Sequence, residues 1–238
     1  MEYLYCKDDN FEDFASGRVL YGGKGIPNFP VRLLAEIFGR ARSYCKKADD
    51  LVVYDPCCGG GYALTVLGFF YNDVIGKLYG SDIDTGMLAH AEKKSLLSEV
   101  GLKQRKEELE GFYQEFGKES HQEAICSCDK IKVMLGRDIP AEIFRADCTK
   151  ELPRISPNVI ITDVPYGNLV EWQENASLNP DEMMKRLWEI SGGVQSWLCA
   201  WIKSKNAIQS SGPVWINRTS GKKDLRYTSK GYKSEDWI

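Results

Sequence analysis

The sequence lacks any apolar run that approaches the roughly 20 residues needed to cross a bilayer. Residues 1–5 have neither the basic start nor the apolar core of a secretory signal peptide. Charge of one sign is not in excess either, because 31 Lys and Arg residues face 34 Asp and Glu residues, which leaves a net charge of −3. We therefore expect a cytoplasmic protein with no membrane partner, and the net charge alone does not indicate a nucleic-acid binder.

The sequence also lacks the cysteine and histidine spacing of a metal site. It contains eight cysteines but only two histidines. Cys57 and Cys58 are adjacent, and a single residue separates Cys126 from Cys128, where a zinc knuckle usually has two. We expect no bound metal and reduced thiols, as in most cytosolic proteins.

What the sequence does contain is a strand, a glycine turn and a helix in immediate succession. Residues 51–54 form an apolar run that ends at Asp55, and a small-residue loop with Gly59 and Gly61 leads into an apolar helical segment from Tyr62. Glycines let the backbone of such a loop come close to a ligand, and the free N–H groups at the start of the helix can face it. The segment therefore predicts a ligand-binding turn, although such turns occur in many α/β folds.

Strand and helix patterns alternate along the rest of the chain. Predicted strands cover residues 51–54, 77–82, 142–146 and 159–162, with two further short strands at 197–202 and 214–216. Predicted helices cover residues 62–71, 86–97 and 180–190, and an earlier one begins at residue 31 and ends near Gly39 or soon after. This order predicts an α/β fold with a Rossmann-like, doubly wound, mostly parallel sheet and flanking helices. The stretch 102–135 is too long for a connection and too polar for core, so we interpret it as a helical insertion beside the sheet.

An aspartate follows each of the four main predicted strands. These residues are Asp55, Asp82, Asp147 and Asp163. Because ligands in open α/β sheets bind outside the carboxyl ends of the strands, the four acids are predicted to share one crevice. Asp82 lies 23 residues after Gly59, close to the ~20 expected for an acid that binds a ribose hydroxyl pair.

The charge of the loop distinguishes between two nucleotide cofactors. Leu64 stands where the dinucleotide fingerprint has its third glycine, and Asp55 precedes the loop. A carboxylate there would repel a diphosphate but attract a ligand with an ammonium and a sulfonium group. S-adenosyl-L-methionine fits this description and NAD does not. Cys57 lies in the same loop, and Asp147 suits the exocyclic amine of the adenine.

The turn from Asp163 to Tyr166 has the residues needed to methylate a planar nitrogen. The Asp163 carboxylate and the Val164 carbonyl can accept N–H protons and draw electron density to that nitrogen. Tyr166 offers a flat face on which a base can stack. Pro165 fixes the turn. We predict that Asp163, Pro165 and Tyr166 are the catalytic residues.

The end of the chain is basic. Residues 190–233 contain eight Lys and Arg residues and one acid, Asp224. This excess could supply phosphate contacts, and a solvated basic tail is an equally good interpretation.

With these residues in hand, the chain resembles class I, Rossmann-type S-adenosylmethionine methyltransferases. More narrowly, it resembles the avilamycin-resistance guanine methyltransferases of 23S ribosomal RNA, the AviRa type. The matching segments are residues 29–33, 36–38, 55–59, 61–62, 64–68, 81–84, 116–118, 146–147 and 162–167. Adjacent cysteines in the glycine loop and a helical insertion after the second helix are unusual among methyltransferases and make the narrower match specific. The resemblance covers about residues 10 to 175.

The resemblance implies an enzyme that methylates N1 or N2 of a guanine in 23S rRNA or the large ribosomal subunit, with a role in antibiotic resistance. It implies that Asp55, Gly59, Gly61 and Asp82 hold the cofactor, with Asp147 at the adenine and with Asp163, Pro165 and Tyr166 at the target base. Val164 replaces the first proline of the broader amino-methyltransferase pattern, which leaves both guanine nitrogens open. If N1 is the target, Asp163 is the candidate to accept its proton.

Other functions stay open at this stage. The turn at Asp163 would also serve methylation of a base in DNA or in another RNA, and a small-molecule substrate is possible. A non-catalytic RNA-binding protein that keeps the fold would be expected to lose Asp82 or Asp163, and both are present.

We expect a monomer with one methyltransferase domain over residues 1–238. Within it we distinguish an N-terminal helical segment (1–50), a cofactor-binding half (51–100), the helical insertion (101–137) and a catalytic, substrate-side half (138–238).

Overall fold

Four parallel strands form the central sheet of the computed structural model. The structure describes residues 3–21, 28–92, 96–162, 180–191, 199–203 and 215–219. The strands are β1 (Leu51–Asp55), β2 (Ile75–Asp82), β3 (Ala141–Arg145) and β4 (Val159–Ile160), in the spatial order β3-β2-β1-β4. Because β1 lies between β2 and β4, the carboxyl ends of β1 and β4 flank a switch point, where open α/β sheets bind ligands.

Helices connect and flank these strands. They are α1 (Val31–Ser43), α2 (Tyr62–Phe70), α3 (Thr85–Glu92), α4 (Glu99–Phe116), α5 (Glu119–Lys132) and α6 (Pro180–Ile190), after a short 3₁₀ helix at Glu12–Phe14. The predicted alternation and the Rossmann-like fold class are confirmed. The two later predicted strands are also present, as β5 (Cys199–Lys203) and β6 (Trp215–Thr219), which pair in parallel in a sheet of their own.

Apolar residues pack against both faces of the central sheet. Neighbouring residues of a strand point to opposite faces, and in β1 Val53 and Tyr54 do so. Val53 belongs to a large core cluster with residues of α1, α2 and the helices of the insertion. Tyr54 belongs to a second cluster, with Ile160, Cys148 and residues of α6. Burial on both faces is what a doubly wound sheet requires.

Helix α1, predicted to end near Gly39 or soon after, continues to Ser43. Gly39 is needed for close packing, since a Cβ at this position would collide with the Tyr5 side chain. The glycine therefore admits the N-terminal segment instead of ending the helix.

Glu36 holds the same N-terminal segment against α1. Its buried carboxylate accepts hydrogen bonds from the backbone N–H groups of Leu4, Tyr5 and Cys6 at 3.0, 2.7 and 3.1 Å, and also from Arg40. Burial raises the pKa of Glu36, but these hydrogen bonds outweigh that effect, so the net pKa is lowered. The carboxylate thus acts as a fixed anchor for the start of the chain.

The helical insertion is confirmed as a hairpin of two helices, α4 and α5. Gly117, with φ of 62°, ends α4, and α5 begins directly after Lys118. The insertion is not wholly outside the core, however, because Leu102, Leu109 and Ile131 belong to the large core cluster. The polar composition of the stretch hid a narrow apolar face. Among the described residues, no helix has both the length and the apolar character that a bilayer crossing requires.

Candidate cofactor site

The carboxyl edge of the sheet brings the predicted acidic residues of the first three strands to one side of the molecule. Asp55 ends β1, Asp82 ends β2, and Asp147 follows β3 by two residues. Thr162 follows β4 by two residues, in register with the end of β1 through the Ile161 N–H to Tyr54 carbonyl bond at 3.0 Å. The predicted catalytic residues Asp163, Pro165 and Tyr166 lie outside the described residues.

The loop from β1 to α2 depends on glycine at two positions. Gly59 has φ of 51° and Gly61 has φ of 76°, both in the left-handed region that side chains disfavour. Gly61 also precedes the first turn of α2 and donates its N–H to the Cys58 carbonyl at 2.8 Å. No atom lies within 4 Å of the position that a Cβ of Gly60 would take, so the loop has open space beside its backbone. A ligand can approach the loop on this side.

Asp82 connects the glycine loop to the end of β2. Its Oδ2 accepts the N–H of Gly59 at 2.9 Å, and its Oδ1 accepts the N–H of Asp84 at 3.0 Å. An ionised carboxylate has about four acceptor positions, so each oxygen keeps capacity for a further donor. A ribose with two neighbouring hydroxyls has the donors that such a group can accept. The residue that we predict to bind the ribose therefore also shapes the loop.

Asp55 is the buried acid of this edge, with only 3% of its surface exposed. Its Oδ1 accepts the N–H of Cys57 at 3.0 Å, which fixes the first residues of the loop. Ser81 supports the same loop from β2, because its carbonyl accepts the Cys58 N–H at 2.9 Å and its hydroxyl is 2.7 Å from the Tyr54 hydroxyl. Ser81 was not among the predicted residues, and its position directly before Asp82 is the signal that could have indicated it.

Asp147 forms a local turn with the two residues that follow it. Its Oδ1 accepts bonds from the Thr149 N–H at 3.0 Å and the Thr149 hydroxyl at 2.6 Å, and its Oδ2 is 3.3 Å from Lys150 Nζ. Burial raises the pKa of Asp147, but the Thr149 hydrogen bonds and the Lys150 ammonium outweigh it, so the net pKa is lowered. Thr149 could have been found from the sequence, since Asp and Thr at this spacing are typical of an Asx turn.

Cys57 contacts a cysteine that the sequence did not single out. Its Sγ lies 3.8 Å from the Sγ of Cys148, and both thiols are free. The hydrogen bond with Cys148 and burial together raise the pKa of the Cys57 thiol well above its usual value. This contact joins the glycine loop to the segment that carries Asp147.

The structure thus brings most of the predicted cofactor residues together. One loop and its neighbouring strand end carry Asp55, Cys57, Gly59, Gly61 and Asp82, and the Cys57–Cys148 contact places Asp147 beside them. Within the described ranges, no group of three or more His, Cys, Asp and Glu residues is arranged to hold a metal ion. Backbone amides and carboxylates at one edge can bind hydroxyl groups and attract a cationic ligand.

Comparison with known proteins extends this picture over most of the chain. Residues 1–218 match the family model described as rRNA methyltransferase AviRa. A 23S rRNA (guanine(2535)-N(1))-methyltransferase from Streptomyces viridochromogenes is 36% identical over 178 residues, which covers 71% of each chain. Two solved structures of rRNA methyltransferase AviRa from the same organism, at 2.4 and 1.5 Å, superpose with TM-scores of 0.70 and 0.72 at 30% and 29% identity. They cover 89% and 92% of this chain, and 82% and 85% of their own chains.

Proposed function

Since the chain belongs to the AviRa family of rRNA methyltransferases, we propose that it methylates a guanine base of 23S rRNA with S-adenosyl-L-methionine as the methyl donor. The position that we propose is N1, which is the position named for the relative that is 36% identical. The sequence motifs alone leave N1 and N2 open, so the identity of the methylated nitrogen rests on this relative.

The observation that carries the cofactor part of the proposal is the link between Asp82 and the glycine loop. Asp82 accepts the Gly59 N–H at the carboxyl edge of the sheet, beside the switch point between β1 and β4. S-adenosylmethionine supplies an electrophilic methyl group on a sulfonium centre. We assign its ribose to Asp82, its charged end to the vicinity of Asp55, and its adenine to the side of Asp147. Negative charge at this edge favours a ligand with two cationic groups.

We assign the target base to the turn at Asp163, which the motif in the sequence supports. Guanine N1 carries a proton that must leave when the nitrogen is methylated, and the Asp163 carboxylate is the proposed acceptor. Pro165 and Tyr166 are proposed to hold the base, with the tyrosine ring as its stacking surface. Because little else is required beyond an in-line approach, positioning supplies much of the rate enhancement.

The proposed partner is 23S rRNA or the large ribosomal subunit. The eight basic residues within 190–233 are the part of the sequence suited to phosphate contacts. We further propose that the chain acts as a monomer in the cytoplasm, with residues 1–238 as one methyltransferase domain.

Methyl transfer into separated, unmodified 16S and 23S rRNA tests this proposal. We expect label from S-adenosylmethionine in 23S rRNA, recovered as 1-methylguanosine after nucleoside digestion. Recovery as 2-methylguanosine would reassign the nitrogen. Label in 16S rRNA would show that the small-subunit RNA is the substrate. Label in assembled subunits but not in naked RNA would show that the enzyme recognises the assembled particle. No transfer into any of these would contradict the proposal.

A pair of variants tests the role of the turn. Asp163→Ala should lose methyl transfer by roughly 100-fold or more, the usual range for removal of a general base, while its affinity for S-adenosylhomocysteine stays near that of the parent protein. The control is Asp49→Ala, an exposed acid before β1, which should leave both properties unchanged. Normal turnover in Asp163→Ala would show that another group accepts the proton.

A further inference from the structure

Two cysteines that are far apart in the sequence meet at the candidate cofactor site. Cys57 lies in the glycine loop after β1, and Cys148 lies three residues after the end of β3. Their sulfur atoms are 3.8 Å apart. Each is adjacent to a functional carboxylate: the Cys57 N–H is bound to Asp55, and Cys148 directly follows Asp147. The pair therefore spans two segments that we assign to the cofactor.

The neighbouring cysteine of the loop does not share this environment. The buried Cys58 belongs to the core cluster on the opposite face of the sheet, with Leu64 and Leu78. Its Sγ lies 2.9 Å from the position that a Cβ of Gly80 would take. Cys57 instead packs against the second cluster, which contains Cys148. The side chains of Cys57 and Cys58 thus lie on opposite faces of the sheet, and the sulfur that Cys57 contacts is that of Cys148.

Thr162 adds a second observation at the same place. This residue is 1% exposed, and its hydroxyl oxygen has no hydrogen-bond partner among the described residues. It interacts with the Cys57 thiol, whose pKa it lowers slightly against the larger effects of Cys148 and burial. The Thr162 hydroxyl is thus a polar neighbour of the Cys57 sulfur, on the side of the site where β4 ends.

We propose that Cys57 and Cys148 form a redox-sensitive pair, which a hydroperoxide oxidises to an intramolecular disulfide that weakens cofactor binding. The chemistry of the pair is independent of the function proposed above, whereas its effect on the cofactor rests on that function.

The reaction balances with hydrogen peroxide as the oxidant. Cys57, the more exposed of the two, loses its proton to water; because its pKa is raised, the thiolate is scarce and this step is slow without excess peroxide. Its sulfur then attacks one peroxide oxygen. The O–O bond breaks, one oxygen leaves as water after protonation, and the other remains on Cys57 as a sulfenic acid. The Cys148 sulfur then displaces this hydroxyl group, which leaves as a second water when the S–S bond forms. Two thiols are oxidised and one peroxide is reduced to two waters.

Bond formation moves the two sulfurs and constrains the loop and the segment after β3 that carry them. A disulfide has an S–S distance of about 2.05 Å, so the sulfurs must approach from their separation of 3.8 Å. That movement acts on Cys57, which is bound to Asp55, and on Cys148, which is joined to Asp147. Loss of one hydrogen bond to a bound ligand weakens its binding by about tenfold. We expect the oxidised protein to bind S-adenosylhomocysteine at least roughly tenfold more weakly than the reduced protein.

Peptide mapping tests the chemistry directly. The full chain is treated with hydrogen peroxide, alkylated and digested, and the disulfide-linked peptides are identified by mass spectrometry. We expect a peptide that joins Cys57 to Cys148. A Cys57–Cys58 link, or both thiols still free under conditions that oxidise the exposed Cys126, would overturn the proposal.

The consequence is tested by calorimetric titration with S-adenosylhomocysteine before oxidation, after it, and after reduction with dithiothreitol. Each variant is compared with itself, so that a change in basal affinity does not matter. The parent protein and the control Cys126→Ser should lose affinity on oxidation and regain it on reduction. Cys148→Ser, in which peroxide can form only a sulfenic acid on Cys57 and no disulfide, should lose less affinity than the parent protein. A mapped disulfide with unchanged affinity would overturn the switch.

Failure of the proposed function gives a different result. A reduced protein that does not bind S-adenosylhomocysteine would contradict the proposed cofactor and the effect assigned to the disulfide, while the peptide map would still decide whether the disulfide forms. Linkage supplies a further check, because a bound cofactor must disfavour oxidation by the same factor by which oxidation weakens its binding.

Discussion

The carboxyl edge of the sheet and the helical insertion both contain many acids but hold them in different ways. At the edge, Asp82 and Asp55 accept backbone N–H groups at 2.9–3.0 Å. In the insertion, acids pair with cationic side chains: Asp129 with Lys106 at 2.6 Å, and Glu123 with Arg18 at 2.6 Å. A backbone amide carries no net charge, whereas the lysine ammonium and the arginine guanidinium are cations.

This difference indicates where a cationic ligand can bind. A carboxylate held by neutral amides keeps its full negative charge, and the field of that charge extends into the crevice. An acid paired with lysine or arginine is neutralised locally, as Asp147 at the edge is by Lys150 and as the paired acids of the insertion are, and exposed pairs of this kind contribute little energy. The charge pattern therefore supports ligand binding at the edge and a scaffold role for the described part of the insertion.

Arg105 illustrates the scaffold role. It lies on α4, is buried, and donates to the carbonyls of Val19 and Arg18 at 2.8 and 3.2 Å. Its guanidinium also lies 4.2 Å from the centre of the Tyr21 ring. Burial and a hydrogen bond to Glu108 raise the pKa of Tyr21 to about 12, so the Tyr21 hydroxyl stays neutral over the physiological range. The insertion thus fixes the N-terminal segment.

The largest effect that separates the two regions should come from Asp82→Asn. The amide side chain can still accept the Gly59 N–H, so the loop is preserved, but the charge and one acceptor are lost. We expect the affinity for S-adenosylhomocysteine to fall by about 1.5–3 kcal/mol, and calorimetric titration measures this directly. Asp129→Asn in the insertion is the matched control and should bind normally. Equal losses in both variants would remove the distinction between the regions.

The second prediction compares the free energy of unfolding of two glycine-to-alanine variants, one at the carboxyl edge and one in the insertion. In Gly80→Ala, the new Cβ would lie 2.7 Å from Ile143 Cδ1 and 2.9 Å from both Cys58 Sγ and Leu64 Cδ1. Overpacking of this kind is expected to destabilise the protein by about 1–3 kcal/mol. Gly111 in α4 has no atom within 4 Å of its Cβ position, so Gly111→Ala should stabilise by about 0.5–1 kcal/mol through helix propensity. Urea unfolding of both variants checks the opposite signs.

The features that sequence predicted well are those set by nearest neighbours along the chain. The glycine loop follows from a strand that ends at Asp55 and a helix that begins at Tyr62, and Asp82 ends the following strand. Strand periodicity and the order of elements are enough to place these residues at one edge. Their hydrogen bonds, including the Gly59–Asp82 bond, were not predictable because they depend on the exact path of the loop.

The features that were missed depend on contacts between distant segments. The packing of Tyr5 on Gly39 was not predicted, because nothing near Gly39 in the sequence shows that contact. The contact between Cys57 and Cys148 joins residues 91 positions apart. The apolar face of the insertion was overlooked because charged residues dominate its composition. Leu102 and Leu109, seven residues apart, lie on the same face of α4.

The variant Glu36→Gln tests an acid that accepts backbone N–H groups but lies away from the cofactor site. Loss of the charge weakens the bonds from three backbone N–H groups and from Arg40, and we expect a destabilisation of about 1–2 kcal/mol at neutral pH. Because the pKa of Glu36 is lowered in the folded protein, its ionised form contributes stability above its usual value of 4.5 and loses it as the pH falls through the folded pKa.

The measurement is urea unfolding of the parent protein and Glu36→Gln at neutral pH and at several pH values below 4.5. The difference between the two proteins should be greatest at neutral pH and shrink toward acid. Cofactor affinity should not change, since Glu36 lies on α1. A difference that grows at low pH would mean that the carboxyl group is held in its protonated form.

The smallest effect should come from the ion pairs of the insertion. Lys106→Ala removes the partner of Asp129, and we expect a loss below about 1 kcal/mol, as is usual for exposed pairs. A double-mutant cycle with Asp129→Ala isolates the pair, and its coupling energy should decrease as salt is raised, because exposed charges are screened. A coupling energy that is large and insensitive to salt would mean that the insertion, like the carboxyl edge, holds its acids in a desolvated environment. In that case charge patterning alone could not distinguish the ligand-binding region from the scaffold.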